Sequence, residues 1–256
     1  LIFWGIFGLD LGAVTCFLYG FRERELVLDL LEMVSGQRMT FNYARFGGVA
    51  ADLPDDFLFH VEKFLKVFPR KVDDYERLLN ANEIFLARTK GIGVIPAARA
   101  VAYGLTGPNL RASGVDFDLR RDIPYEAYAD LNYQPVVLKN GDCYDRFIAR
   151  VLEMRASCEL VRKCLEGLPA GPTQAEKVSK FPKLPAGEVY VRVESPRGDY
   201  GLYLVSDGGN KPYRYKLRTP SFGNLSIIVE AIRGVYLADI VPIFGSLDII
   251  LPDVDR

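Results

Sequence analysis

The chain has 256 residues, with 32 Lys and Arg against 33 Asp and Glu and a formal charge of −1. That is length for one large domain or two small ones, and it leaves no overall field to hold nucleic acid or an anionic membrane surface. The four cysteines, Cys16, Cys143, Cys158 and Cys164, lack C-x-x-C spacing and are expected to be reduced intracellular thiols, and the single His60 argues against a His-built metal site.

The opening stretch, "LIFWGIFGLDLGAVTCFLYGF", carries no Lys or Arg before Arg22 and is long enough to cross a bilayer as a helix. Asp10 near its middle, its glycines and the charged "RERE" that follows favour a buried core helix over a span. It starts abruptly and without Met, so preceding residues are expected to be missing. Residues 22–34 place Leu26, Leu30 and Met33 or Val34 at helical spacing, and Ser35-Gly36 ends the pattern. Two more helices are expected after Pro54 and after Pro69, with aspartates at their starts. From Lys90 to Pro135 the text is rich in Gly, Pro and Tyr and predicts irregular, aromatic-packed chain with a short helix after Pro96. Phe147, Val151, Met154, Cys158, Val161 and Leu165 recur at steps of four and three, which predicts one long helix with Cys158 in its apolar seam. After a surface linker the period changes to two. "EVYVRVES", "YGLYLVSD" and "YRYKLRT" predict a three-stranded antiparallel meander, with a tight turn at Asp207-Gly208-Gly209-Asn210 between the last two strands. A last helix is expected over Ser221–Arg233, capped by Ser221.

Few motifs carry chemistry on their own. Gly47-Gly48 lacks the frame of a phosphate loop and "GIGVIP" lacks the third glycine of a dinucleotide fingerprint, so both are expected to serve turns or close backbone approach. His60 sits among apolar residues of a helix and reads as a packing histidine rather than a triad member. Most of the acids read as solvated helix faces, with no glycosidase-type pair. Asp10 is the exception. A carboxylate in the longest apolar segment needs a partner or a function, and desolvation would raise its pKa while a nearby cation would hold it charged.

Several long blocks go further. "LDLGAVTCFLYGFRERELVLDLLEMVSGQRMTFNYARFGGVAADLP", "GIGVIP", "GLTGPNLRASGVDFDLRRDIPYEAY", "VESPRGDYGLYLVSDGGNKPYRYKLRTPSF" and "GSLDIILPDVDR" closely resemble, in order, the D-type quinone-binding core subunit of complex I, NADH:quinone oxidoreductase. That family is related to the nickel-iron hydrogenase large subunit. The fold class expected is therefore α+β: a mainly helical bundle with a small antiparallel β-meander, hydrogenase-large-subunit-like. Its parts are a helical core over 1–171, a linker over 172–187 that is shorter than usual for the family, and a meander plus C-terminal helix and tail over 188–256. The family's N-terminal domain, with its headgroup His and Tyr, is expected to be missing from this sequence.

What the resemblance implies can be stated residue by residue. A hydrogenase ends D-P-C-x-x-C-x-x-H, whereas this chain reads D-I-I-L-P-D-V-D-R from Asp248, so Ile250 and Asp253 stand at the thiolate positions and Arg256 at the His. Soft-metal ligation is lost there. The old metal cavity becomes a quinone-headgroup chamber lined by Asp10, Val14, Asp248 and Ile250, with Asp10 as the catalytic proton-delivering acid. Quinone is the substrate, no cofactor is bound covalently, and the terminal iron–sulfur cluster lies on a partner, the small Fe–S subunit, with Thr40 and Arg45 facing it. Relatives that read "RMH" have a histidine where Thr40 stands, so weak pH dependence of that cluster and a low-potential quinone are expected. Ile6, in place of a family threonine, makes the chamber entrance drier. The other partners are peripheral-arm subunits and the membrane-arm quinone-channel subunit, at the inner face of an energy-transducing membrane. The rival readings are a non-catalytic structural or assembly paralogue and a protein anchored through residues 1–21.

Overall fold

The structure is a computed structural model that describes residues 1–179 and 183–255. The opening apolar stretch is two helices rather than one. α1 (Ile2–Asp10) ends at Leu11, and α2 (Val14–Ser35) runs back against it as an antiparallel hairpin. Small residues permit the close crossing: a Cβ on Gly8 would come within 2.5 Å of Cys16 Cβ. Trp4, Phe7 and Cys16 turn inward, while Ile2, Ile6, Leu9, Val14 and Leu18 stay substantially exposed, so the expected wholly buried helix is half-buried. Among the described residues no helix is long and apolar enough to cross a membrane. α2 absorbs the helix expected over 22–34 and stops at Gly36, whose left-handed φ of 73° closes it as the sequence predicts.

The two helices expected around Pro69 are one. α3 (Phe57–Asn80) passes through that proline, and the carbonyl of Leu65, which Pro69 cannot satisfy, accepts from Arg162 Nη2 at 3.2 Å. The aspartates expected to cap helices there do not: Asp56 precedes α3 but makes no capping bond, and Asp73 and Asp74 lie inside the helix. His60 is not packed either. Its side chain is 42% exposed and 3.4 Å from the Asp56 carboxylate one turn back.

Between Lys90 and Pro135 the chain is more helical than its composition suggests, with α4 (Glu83–Thr89) ahead of it and then α5 (Ala97–Ala102), α6 (Pro108–Ala112), α7 (Leu119–Asp122) and a 3-10 turn over Glu126–Ala129. The long helix α8 (Cys143–Glu166) forms as its seam predicts, with Cys158 in the core. Asp142 caps it by accepting from Asp145 N at 2.7 Å, and also takes Gly91 N at 2.8 Å. α1, α2, α3 and α8 share one core in which Phe7, Phe85 and Phe147 meet edge-on or tilted, with ring centroids 4.9 to 6.0 Å apart.

A short hairpin, β1 (Ala44–Arg45) with β2 (Gly48–Val49), holds the glycine pair. Gly48 has φ 145°, and a Cβ there would strike Thr173 O at 2.1 Å, so close approach to another stretch of backbone is its purpose, as expected. The meander is β3 (Gly187–Ser195), β4 (Gly198–Ser206) and β5 (Arg214–Arg218), with Val191, Leu202 and Leu217 in register. The tight turn at 207–210 is instead a longer loop, because β5 starts only at Arg214; Asp207 and Ser206 side chains accept from the backbone within it. The single last helix is likewise divided into α9 (Pro220–Leu225) and α10 (Ile228–Ala231), followed by α11 (Ile240–Leu247) and α12 (Leu251–Val254). Ser221 lies inside α9 and does not cap it; Asp253 Oδ2 accepts from Ser221 N at 3.2 Å. The linker reading falls partly, and the reading of Arg256 wholly, outside the described residues.

Candidate functional site

The C-terminal tail is held by buried polar side chains. From Cys143 to Val151 every residue of α8 but Tyr144 is buried, including Arg146 and Arg150 one turn apart. Arg146 Nε donates to Ser246 Oγ at 2.9 Å. Arg150 donates to the carbonyls of Arg146, Ser246 and Leu247 and to Asn109 Oδ1, and Asn109 Nδ2 returns a bond to Leu247 O at 2.9 Å. α11 is thereby stopped at Asp248, which sits in the left-handed region at φ 55° and ψ 52°, a conformation Asp tolerates better than most residues. Arg197, in the β3–β4 turn, reaches Asp248 Oδ1 at 3.1 Å and its carbonyl at 2.9 Å. Among the described residues Arg150 Nε finds no hydrogen-bond partner and lies 3.9 Å from Asp248 Oδ2. Its guanidinium lies over the Phe3 ring at 4.3 Å, and burial lowers its pKa to about 10, against the opposing charges of Asp248 and Glu153.

Asp248, Arg150 and Arg197 form one end of a cleft of about 690 Å³. Its walls are apolar, from Phe3 of α1, Leu28 of α2, Phe64 and Phe68 of α3 and Met154 and Val161 of α8. A second buried charge cluster borders it, in which Arg111 meets Asp118, Glu153 and Glu194 at 3.0, 2.7 and 2.8 Å. Burial tends to raise the Asp118 pKa, but the Arg120 hydrogen bond and the Arg111 and Arg120 charges outweigh it and hold the carboxyl below its ordinary value. At Glu194 burial wins, and the pKa rises despite Arg111.

Asp10 occupies the other end of the seam between α1 and α11. A Cβ on Gly245 would lie 3.3 Å from Asp10 Oδ2, so the acid faces α11 one turn before Asp248. From Phe3, beside Arg150, to Asp10 is about 10 Å along the helix at 1.5 Å per residue. The expectation of a buried Asp10 is corrected: at the last position of α1 it is exposed, and only its apolar flank is covered. Partial desolvation, with no cation to oppose it, still raises its pKa. Val14 is 55% and Ile250 38% exposed, Val14 just beyond the turn from Asp10 and Ile250 just beyond Asp248. Thr40 and Arg45 are exposed in and before the small hairpin, which packs on Thr173 to Val178. Arg45 Nε donates to Asn42 O at 3.3 Å, and Phe46 stands 77% exposed. Among the described residues no group of three or more His, Cys, Asp or Glu side chains could hold a metal.

Sequence reasoning missed Arg111, Arg146, Arg150 and Arg197 and singled out none of the acids that are buried, Asp118, Asp142, Asp145, Asp199 and Asp239. The available signal was the i, i+4 pair Arg146 and Arg150 on a helix whose apolar residues spread beyond one seam in its first half.

An acid-bearing seam and an arginine-ended cleft with largely apolar walls thus lie on one mainly helical body with a small antiparallel meander. The family model described as respiratory-chain NADH dehydrogenase, 49 Kd subunit, matches residues 10–183 and 175–256, and the chain belongs to that family. It is 46% identical over 281 aligned positions to a D-type NADH-quinone oxidoreductase subunit of Sinorhizobium medicae, covering 100% of this chain and 70% of that protein. To the D-type NADH-quinone oxidoreductase subunit of Clostridium beijerinckii it is 49% identical over 255 positions, 100% of this chain and 69% of the relative. To that of Carboxydothermus hydrogenoformans it is 48% identical over 254 positions, 99% and 69%. The two matched stretches overlap over residues 175–183, in the linker.

Proposed function

We propose that the chain is the quinone-site subunit of an NADH:quinone oxidoreductase, active only within the complex. What carries this reading is the family match across Asp10 and Asp248 together with their placement on one α1–α11 seam. A quinone takes up two electrons and two protons to become a quinol. The electrons come from an iron–sulfur cluster on the small partner subunit, beside which Thr40 and Arg45 lie. Asp10, its pKa raised by desolvation, keeps a proton to higher pH than a free carboxyl and supplies the proton side of the reaction. Val14 and Ile250 offer apolar wall to the ring, and the Asp248 carboxylate can accept from a hydroxyl of the quinol product. In this reading residues 1–171 form a hydrogenase-large-subunit-like helical body and 188–256 a meander with the chamber-lining tail. The subunit sits in the peripheral arm at the inner face of the membrane, against the other arm subunits and the membrane-arm quinone-channel subunit.

The test is Asp10→Asn in the complete complex in its native membranes. NADH oxidation linked to added quinone should fall by roughly a hundredfold, the effect of removing a proton-transferring group, with the subunit still incorporated. Unchanged quinone-linked turnover would refute the assignment.

A further inference from the structure

The strand β3 meets the helical body only toward its end. Gly187 to Val191 are exposed, and among the described residues the strand pairs with β4 alone, which leaves its other edge open. At Glu194 it enters the buried charge cluster, and the Tyr125 hydroxyl accepts from Glu194 N at 3.2 Å. In that cluster Arg111 of α6 and Arg120 of α7 face Asp118, Glu153 of α8 and Glu194, two cations against three carboxylates. With all five ionised, one negative charge is left over away from water, and the uptake of one proton removes it.

The three carboxyls are unequally served. Asp118 has both guanidiniums and the backbone N–H of Arg120, and Glu153 accepts from Nε and Nη2 of Arg111. For the Glu194 carboxyl the one donor among the described residues is Arg111 Nη1, at 2.8 Å. Its own sheet brings no further cation to it: Arg192, two residues back, donates to Asp199, which stands opposite Glu194 on β4 and also meets Arg218. Burial, with the Asp118 charge adding to it, therefore outweighs Arg111 and Arg120 and keeps the Glu194 proton on to a higher pH than in a free carboxyl.

We infer that Glu194 is a pH-sensitive latch between β3 and the helical body: protonated, it closes the strand onto a neutral cluster, and ionised, it leaves an uncompensated charge there that loosens the strand. The turn after β3 holds Asp248 through Arg197, so the latch also bears on the tail. The inference rests on the cluster and not on where quinone binds, so its failure would leave the proposed function untouched.

The test is amide hydrogen exchange in the complete complex, read by mass spectrometry on peptides of this subunit from about pH 5 to about pH 8 and corrected for intrinsic exchange rates. A carboxyl whose folded pKa is raised contributes stability at low pH that is lost as pH rises through that value, up to about tenfold in the opening equilibrium per pH unit. Protection of β3 should fall in this way and then level off. Glu194→Gln, which keeps the shape and cannot ionise, should hold the low-pH protection throughout, and α2, which contributes nothing to the cluster, should be unchanged in both proteins. Protection of β3 that does not fall in the wild type, or an equal fall in Glu194→Gln, overturns the inference. Should Glu194→Gln not incorporate, the wild type decides: a fall confined to β3, α6 and α7 supports the latch, and a fall spread equally through α2 and α3 overturns it.

Discussion

Replacing Arg111 by Leu should expose how much of the molecule depends on one buried cation. Arg111 is 1% exposed and joins three carboxylates, of which Asp118 and Glu194 are 0% and 5% exposed at the side chain and Glu153 16%. Arg120 would still serve Asp118 at 2.7 Å, but Glu153 and Glu194 would lose their cation. Breaking a buried pair by removing one partner costs about 3–5 kcal/mol, a large share of the roughly 5–15 kcal/mol that holds a domain folded. The assay is urea unfolding followed by circular dichroism, at pH 7 and again at pH 5. In the folded protein burial already lifts the Glu194 pKa above its unfolded value, and loss of Arg111 removes the charge that opposes this. A folded-state pKa above the unfolded one means that the native state binds the extra proton, so stability is gained as pH falls toward that pKa. The deficit of the variant should therefore shrink from pH 7 to pH 5. Asp118 acts in the opposite sense in the wild-type protein: its depressed pKa contributes stability above the unfolded carboxyl value, lost only as pH falls through the lower folded value, below this window. A deficit below about 1 kcal/mol, or one that grows on acidification, would refute the reasoning.

Gly8→Ala should destabilise the α1–α2 hairpin by about 1–3 kcal/mol, since the new methyl lands 2.5 Å from Cys16 Cβ at a backbone crossing; thermal unfolding reads this, and a neutral result would mean that the crossing is looser than described. Thiol alkylation at pH 8 followed by mass spectrometry should modify Cys164, the exposed cysteine, well before Cys16, whose pKa burial pushes up to about 11, or the buried Cys158, which burial also raises. Within the proposed function, the partner's terminal cluster should show a shallow change of midpoint potential with pH, and Thr40→His should steepen it toward about 59 mV per pH unit; a steep slope with Thr40 in place would contradict its proximity to the cluster.

The sequence was most readable where one physical rule acted alone. The long helix α8, the left-handed stop at Gly36 and the three antiparallel strands of the meander follow from periodicity and backbone sterics and stand where expected, although burial along β3 does not alternate. Readings failed where a distant side chain decided. Pro69 should end a helix, yet Arg162 from α8 supplies the bond that Leu65 lost. The apolar opening should be one helix, yet Gly5, Gly8 and Gly20 let it fold back on itself. Asp10 looked buried because its neighbours in sequence are apolar, whereas its place at the end of α1 gives it one apolar flank and one open side. Arg146 and Arg150 were invisible for the same reason: their partners on the tail, the Ser246 hydroxyl and the Ser246 carbonyl, lie about a hundred residues away, and no local pattern encodes such a contact.

The account stands on Asp10 and Asp248 facing a single bound quinone. The most direct measurement is photolabelling of the complete complex with an azido-quinone, with and without excess parent quinone, and mapping of the attached residues by mass spectrometry. Label displaced by quinone should fall on Leu9 to Val14 and on Asp248 to Ile250. Displaceable label confined to the exposed meander around Tyr213 and Tyr215, with none on either of those stretches, would contradict it.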